Sequence, residues 1–462
     1  MSQNSNKVNL GKSPESSGRE TFATSFGILA AAIGSAVGLG NIWRFPYITG
    51  MNGGGAFILV YLICVAIIGI PLMLSEFVVG REGKKDAIGS FKKLSPNGKW
   101  YISGILGVLA AFMILSFYGV IAGWSLEYIG KSITNQFAGK TVTQIETMFV
   151  DFITHPVKPV VCQLIFMAIT GFIVAAGVQG GIEKISKILI PLLLVIIIIL
   201  DIRAITLPGG SAGLEFLFKP DFSKITGASI LDALGHSFFS LSLGMGIMIT
   251  YGSYIGKGEK LGKTSLNVAI ADTVIALLVG IAIFPAVFAF DIAPNSGPGL
   301  VFITLPNVFA KMPGGPIFSS MFFILLALAA LTSTISLLEV VTAYVIECFN
   351  MERKKASILS TVLISLLGVF ASLSNGPLSG EVFFGRNLFD FLDYLTANYF
   401  LTIAALISCI FVGWKFNKKT LENQLTNDGI IKASYIDVYY FIIKFICPIL
   451  ILIVFLAGIG II

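Results

Sequence analysis

An all-α polytopic membrane protein is the fold class this sequence predicts, and three observations predict it. Hydrophobic residues fill 55% of the 462 positions and charged residues 12%, about half the charged share of a soluble chain; mean hydropathy is +0.89. Eleven apolar stretches are long enough to cross a bilayer, at roughly 23–50, 55–80, 100–130, 157–178, 184–207, 229–256, 266–292, 317–349, 356–374, 388–414 and 435–460. Two of them, the first and the sixth, carry glycine-rich interruptions near their centres.

Taken in order, residues 1–22 read as a cytoplasmic tail. Its Ser/Asn/Gly-rich start is expected to be disordered, and without an apolar h-region no cleavable signal peptide is expected. The first span contains Gly34-Ser35-Ala36-Val37-Gly38-Leu39-Gly40-Asn41. Each glycine costs a helix about 1 kcal/mol against alanine. A broken helix in hydrocarbon needs a protected cavity and something to satisfy its freed amides and carbonyls, such as a bound ion or ligand. Close helix packing through small residues is the other reading. The sixth span repeats the feature at Phe238-Phe239-Ser240-Leu241-Ser242-Leu243-Gly244-Met245-Gly246. Paired interruptions at corresponding places in two halves point to the central site of a transporter. Spans one to five (23–207) and six to ten (229–414) then read as an inverted repeat, because five spans reverse direction; span eleven (435–460) lies outside it.

Between the spans, residues 81–99 are expected to form a short interfacial helix, and the Pro/Gly-rich outer stretch 294–316 is long enough to fold over the mouth as a lid. Lys and Arg divide 21 against 8 between the two sets of loops. By the positive-inside rule the N-terminus is cytoplasmic in the plasma (inner) membrane, and an odd span count puts the C-terminus outside. The net charge of +6 therefore reflects topology, and no nucleic-acid partner is expected. Cys64, Cys162, Cys348, Cys409 and Cys447 have no CxxC spacing and read as small apolar residues. No Walker motif is present, so ATP chemistry is excluded and energy comes from an ion gradient or passive flow.

Charged side chains inside spans are costly and each is a functional candidate. Arg44 and Asp393 both fall at extracellular depth and suit a salt-bridged outer gate, although each could simply snorkel. Glu76 is placed to accept hydrogen bonds from amides freed at a break, and Asp272 sits within the apolar part of span seven. Thr332-Ser333 offer adjacent hydroxyls, which otherwise bond the preceding turn. Carbonyls, hydroxyls, amides and carboxylates together are the hard oxygen ligands that sodium favours. His155 and His236 do not form a metal site, and Lys444 snorkels or pairs locally.

Longer motifs go further. Gly38-Leu39-Gly40-Asn41-Ile42-Trp43-Arg44-Phe45-Pro46, Asn52-Gly53-Gly54-Gly55-Ala56-Phe57 and Gly69-Ile70-Pro71-Leu72 with Glu76 closely resemble the neurotransmitter:sodium symporter family. The resemblance continues through Phe238 to Tyr251, Leu331-Thr332-Ser333 and Asp390 to Asp393, and covers nearly the whole chain. It implies a LeuT-like fold, the type case of transporters built on broken helices, in an eleven-span bacterial form. It also implies Na⁺-coupled symport of an amino acid by alternating access rather than enzymatic activity.

Position by position, the resemblance implies two Na⁺ sites. The first uses the Ala36 carbonyl, Asn41, Ser240 and Asp272 plus the substrate carboxylate; the second uses the carbonyls of Gly34, Val37 and Ala329 with Thr332 and Ser333. The substrate carboxylate would meet the Leu39 and Gly40 amides and Tyr118, and its ammonium would meet Ala36, Phe239, Ser240 and Ser242. Ser35, Ile114, Phe239, Met245 and Leu337 would surround the side chain. None is charged, so a large apolar or aromatic amino acid is expected, with Met245 between two glycines giving room for a ring. Arg44, Asp393, Tyr118 and Phe239 would form the outer gate, and Arg19 with Glu347 the inner one.

Four positions depart from the family pattern. Asp272 stands where many members have Asn, and Ala276 where chloride-dependent members have Ser, so a fixed carboxylate is expected to replace chloride. His236 replaces a Gln and Phe22 a common Trp. The alternatives to a large apolar substrate are a small neutral amino acid or a biogenic amine. An ion channel and an amino-acid sensor are readings of a different class; unitary currents would mark the first and a signalling domain the second.

Overall fold

The computed structural model describes residues 19–290, 299–380 and 383–461. The expected disorder of the tail and the first part of the outer stretch 294–316 lie outside the described residues. Among the described residues nine helices are long and apolar enough to cross a membrane: Gly55–Gly83, Tyr101–Ile133, Lys158–Ala175, Val178–Ile205, Leu261–Ala289, Gly315–Phe349, Arg353–Leu373, Leu388–Lys415 and Ile436–Gly458. A bent pair, Ser25–Ala36 and Gly40–Met51, meets at 48° and makes ten if counted as one span. The count of eleven predicted from sequence depends on the sixth stretch. Its halves, Gly227–Ser240 and Ile247–Tyr254, have 14 and 8 residues, and neither reaches across a bilayer alone.

The two breaks have different backbone causes. The first helix ends at Ala36, Val37 turns extended (ψ 103°), and a π-turn over Gly40–Arg44 restarts it. In the sixth, Ser242, Gly244 and Gly246 adopt positive φ of 55°, 74° and 72°. Glycine enters that region without a Cβ penalty, which explains two of the three. Gly246 is also tight: a methyl there would sit 3.2 Å from Ala87 Cβ and 3.3 Å from Val340 Cγ1. The breaks face each other, since Ser35 Oγ donates to Ser242 Oγ (3.1 Å) and Ser242 Oγ donates to the Ser35 carbonyl (2.9 Å). Tyr101–Ile133 and Gly315–Phe349 are the longest helices and wall the breaks on one side. Ile436–Gly458 is peripheral; Gly413 of the preceding span brings its backbone against Lys444, whose ammonium lies 4.6 Å over the Trp414 ring.

Short helices fill the connections. Ala87–Leu94 lies within the stretch 81–99 and is capped by Asp86 Oδ1, which accepts from Ile88 N (2.9 Å) and Gly89 N (3.3 Å). Val142–Thr154 starts on a reciprocal Thr141/Gln144 capping box. Leu300–Lys311 packs Phe302 flat on Phe149 (5.5 Å, 1°) and edge-on to Trp124 (5.6 Å). Gly210–Phe218 and Lys418–Thr426 were not expected from the sequence.

Candidate substrate and sodium sites

Freed backbone groups at the two breaks are the raw material of the site. Around them the structure gathers a buried carboxylate. Asp272 is fully buried. Ser240 Oγ donates to it at 3.0 and 2.9 Å, Asn41 Nδ2 at 2.7 Å, and the Tyr61 hydroxyl at 3.2 Å. Asn41 Oδ1 accepts from Gly38 N (3.1 Å), which pins the amide. Three of the four residues expected in the first sodium site are therefore in direct contact, and Ala36 lines the neighbouring cavity. The sequence reading missed Tyr61. A phenol in an apolar span needs a partner for its hydroxyl, but nothing in the pattern says which.

A second oxygen cluster lies where helix Gly315–Phe349 passes the first break. Thr332 Oγ1 is 3.0 Å from the Ala329 carbonyl and 3.5 Å from the Val37 carbonyl. Ser333 Oγ is 3.5 Å from the Val37 carbonyl and 3.3 Å from that of Ser35, an oxygen the sequence did not single out. Gly34 packs on Thr332, where an added Cβ would stand 3.0 Å from Thr332 Cβ. This donor set of hydroxyls and carbonyls is hard and uncharged, which suits a monovalent cation. Ser333→Ala removes one oxygen and is expected to raise the Na⁺ concentration for half-maximal uptake by about tenfold, the loss of one good ligand. A sodium titration that is the same for Thr332→Ala, Ser333→Ala and the parent would remove this cluster from the transport cycle.

Between the clusters is a small cavity of about 20 Å³. Nine of the eleven residues expected around the substrate line it: Ser35, Ala36, Gly40, Ile114, Tyr118, Phe239, Ser242, Met245 and Leu337. The other two lie at its edge: Ser240 is on Asp272, and Leu39 N–H donates to the Tyr118 hydroxyl (2.9 Å). Gly38 and Ile247 line it as well and were not expected. Gly38 is constrained to glycine, because a methyl would collide with Ser333 Oγ and stand 2.7 Å from the Tyr118 hydroxyl. Glu76, 1% exposed, accepts from Gly244 N (2.8 Å) and satisfies one amide of the second break.

Tyr118 and Phe239 also line a larger vestibule of about 540 Å³, so they form the partition between the two spaces. Arg44 and Asp393 both border that vestibule, but they form no ion pair among the described residues. Arg44 instead places its guanidinium 5.2 Å over the Phe239 ring. The salt-bridged gate expected from sequence is thus not made here, because the open vestibule holds its two ends apart. At the opposite end of the first span the reverse holds. Arg19 pairs directly with Glu347 and donates to Ser253 Oγ at 2.9 and 2.7 Å. Phe22 seals beneath it, edge-on to Tyr251 (5.6 Å). His236 is fully buried between Phe45 and Tyr61, with no hydrogen-bond partner for either ring nitrogen among the described residues.

Comparison with known proteins fits this geometry. The profile of the Sodium:neurotransmitter symporter family matches residues 19–151 and 140–461. The chain belongs to that family. It is 40% identical over 440 residues to the sodium-dependent transporter YhdH of Bacillus subtilis, covering 95% of this chain and 98% of that one. It is 38% identical over 451 residues to a sodium-dependent transporter of Haemophilus influenzae, with the same coverage. Among solved structures, MhsT in complex with L-phenylalanine superposes with a TM-score of 0.87 at 47% identity, over 95% of this chain and all of that one. The protein is therefore a sodium-coupled, multi-pass membrane symporter of the LeuT fold, and not an enzyme.

Proposed function

We propose that this symporter imports a large apolar or aromatic amino acid together with two Na⁺ ions, without needing chloride. The reading places its N-terminus in the cytoplasm and its C-terminus outside. It treats 23–207 and 229–414 as the two halves that rock against each other, with 435–460 outside the repeat. The observation that carries the substrate class is the lining of the central cavity: backbone groups of both signs, the four hydroxyls of Ser35, Tyr118, Ser242 and Ser333, and apolar side chains, with no charged side chain among the described residues. An ionised substrate side chain would be buried there unpartnered, at a cost of several kcal/mol. A biogenic amine lacks the carboxylate that the Leu39 and Gly40 amides would meet. The likeness to MhsT in complex with L-phenylalanine supports the same class.

One observation favours the runner-up, a small neutral amino acid. A cavity of about 20 Å³ holds one or two waters. A ring enters only if Phe239 swings out or Met245 shifts, and Met245 can shift because the residues on both sides of it are left-handed glycines. Calorimetric binding of the standard amino acids with and without Na⁺ tests the choice. The expected result is Na⁺-dependent binding led by Trp, Tyr, Phe, Leu or Met. Glycine or alanine outcompeting every aromatic amino acid would contradict it. Met245→Phe is expected to penalise Trp about tenfold more than Leu, the cost of overpacking one well-filled site; equal penalties would take the side-chain pocket away from Met245.

A further inference from the structure

We propose that the helix Lys418–Thr426, between the tenth and eleventh spans, is a releasable latch on the cytoplasmic mouth, held shut by Arg81. The inference rests on the alternating-access reading above. Arg81 ends the second span and is 3% exposed. Its Nε donates to Gln424 Oε1 (2.5 Å), its Nη1 to the Glu259 carbonyl (2.8 Å), and its Nη2 to the Gln424 carbonyl. Gln424 Nε2 in turn donates to the Glu82 carboxylate. One planar guanidinium thus ties together three elements, a task that suits the arginine fork and not a lysine.

What the fork holds matters for transport. Glu259 lies five residues beyond Tyr254, in the connection that continues the half-helix Ile247–Tyr254. That half-helix carries Ser253, on which Arg19 closes the inner side. It cannot swing open without moving the Glu259 backbone relative to Gln424, or dragging the latch with it. The latch is built to release. It is polar, KKTLENQLT, and buries only Leu421 and Leu425, one turn apart. Its remaining ties are the exposed pairs Lys257–Asp428 and Lys418–Asp437, both at 3.3 Å, and Lys418 over the Tyr440 ring; exposed pairs hold weakly. A static brace of the same length would bury a full apolar face.

The test is a reversible cross-link. Glu82→Cys with Gln424→Cys, on a Cys348→Ser background and joined by a short bifunctional methanethiosulfonate reagent, fixes the latch shut; the two single substitutions on the same background are the controls. The expected result is Na⁺-dependent phenylalanine binding within about twofold of the unlinked protein, uptake into proteoliposomes down about tenfold or more, and recovery after reduction. Undiminished uptake with the cross-link in place overturns the proposal. A second readout needs no substrate. Ala343 lines the cytoplasmic cavity, and the exposed Cys348 is replaced by serine to give a clean background. In Ala343→Cys protein, adding Gln424→Ala is expected to speed labelling from the cytoplasmic side several-fold, and Arg81→Lys to do the same. Unchanged labelling rates overturn the latch. Absent or Na⁺-independent binding before cross-linking would instead fault the transport reading.

Discussion

Asp272→Asn is expected to remove sodium-driven uptake while leaving the protein folded. The change keeps the size of the side chain and removes the negative charge, which three neutral side chains, Asn41, Ser240 and Tyr61, now surround. A cation in that place loses the one charged ligand that the protein supplies. Hydrogen bonds and contacts to a charged group are worth about 1.5–3 kcal/mol, so the Na⁺ needed for half-maximal transport rises on the order of 10- to 100-fold. The same argument bears on anions. With its own carboxylate in place, the unaltered protein is expected to transport equally in gluconate and chloride media, and the Asn variant to regain part of its rate only with chloride. Strong chloride dependence of the unaltered protein, or a normal sodium titration of the variant, would contradict this role.

Gly38→Ala is the second large effect. Its methyl would enter the space shared by Ser333 Oγ and the Tyr118 hydroxyl, and so disturb the second oxygen cluster and the partition to the vestibule at once. Overpacking costs about 1–3 kcal/mol. Because it falls on the central cavity, affinity for both Na⁺ and substrate is expected to drop about 5- to 100-fold, with a smaller change in thermal stability. Full activity in Gly38→Ala would mean that the first break relaxes more freely than its packing suggests.

Much of this was legible in the sequence, for identifiable reasons. The breaks were readable because glycine is the residue that tolerates their backbone, and Gly244 and Gly246 do adopt positive φ. The capping box at Thr141 and Gln144 is also encoded locally, by a threonine three residues before a glutamine. Other features were hidden by their nature. The Ser35 carbonyl beside Ser333 is a backbone direction, which residue type does not encode. Tyr61 on Asp272 joins two spans far apart in sequence, through a hydroxyl whose partner only packing decides. The distance between Arg44 and Asp393 depends on whether the vestibule is open, a property of conformation rather than of either residue. In the sixth stretch the interruption was readable but its extent was not: six residues are unwound between Ser240 and Ile247.

Uptake of radiolabelled L-phenylalanine into proteoliposomes under an imposed Na⁺ gradient, with gluconate in place of chloride, tests the central claim most directly. The account predicts saturable accumulation that collapses when Na⁺ is replaced by K⁺ and that is lost in Asp272→Asn. Accumulation that is indifferent to Na⁺, or no transport of any apolar amino acid in its presence, would contradict it.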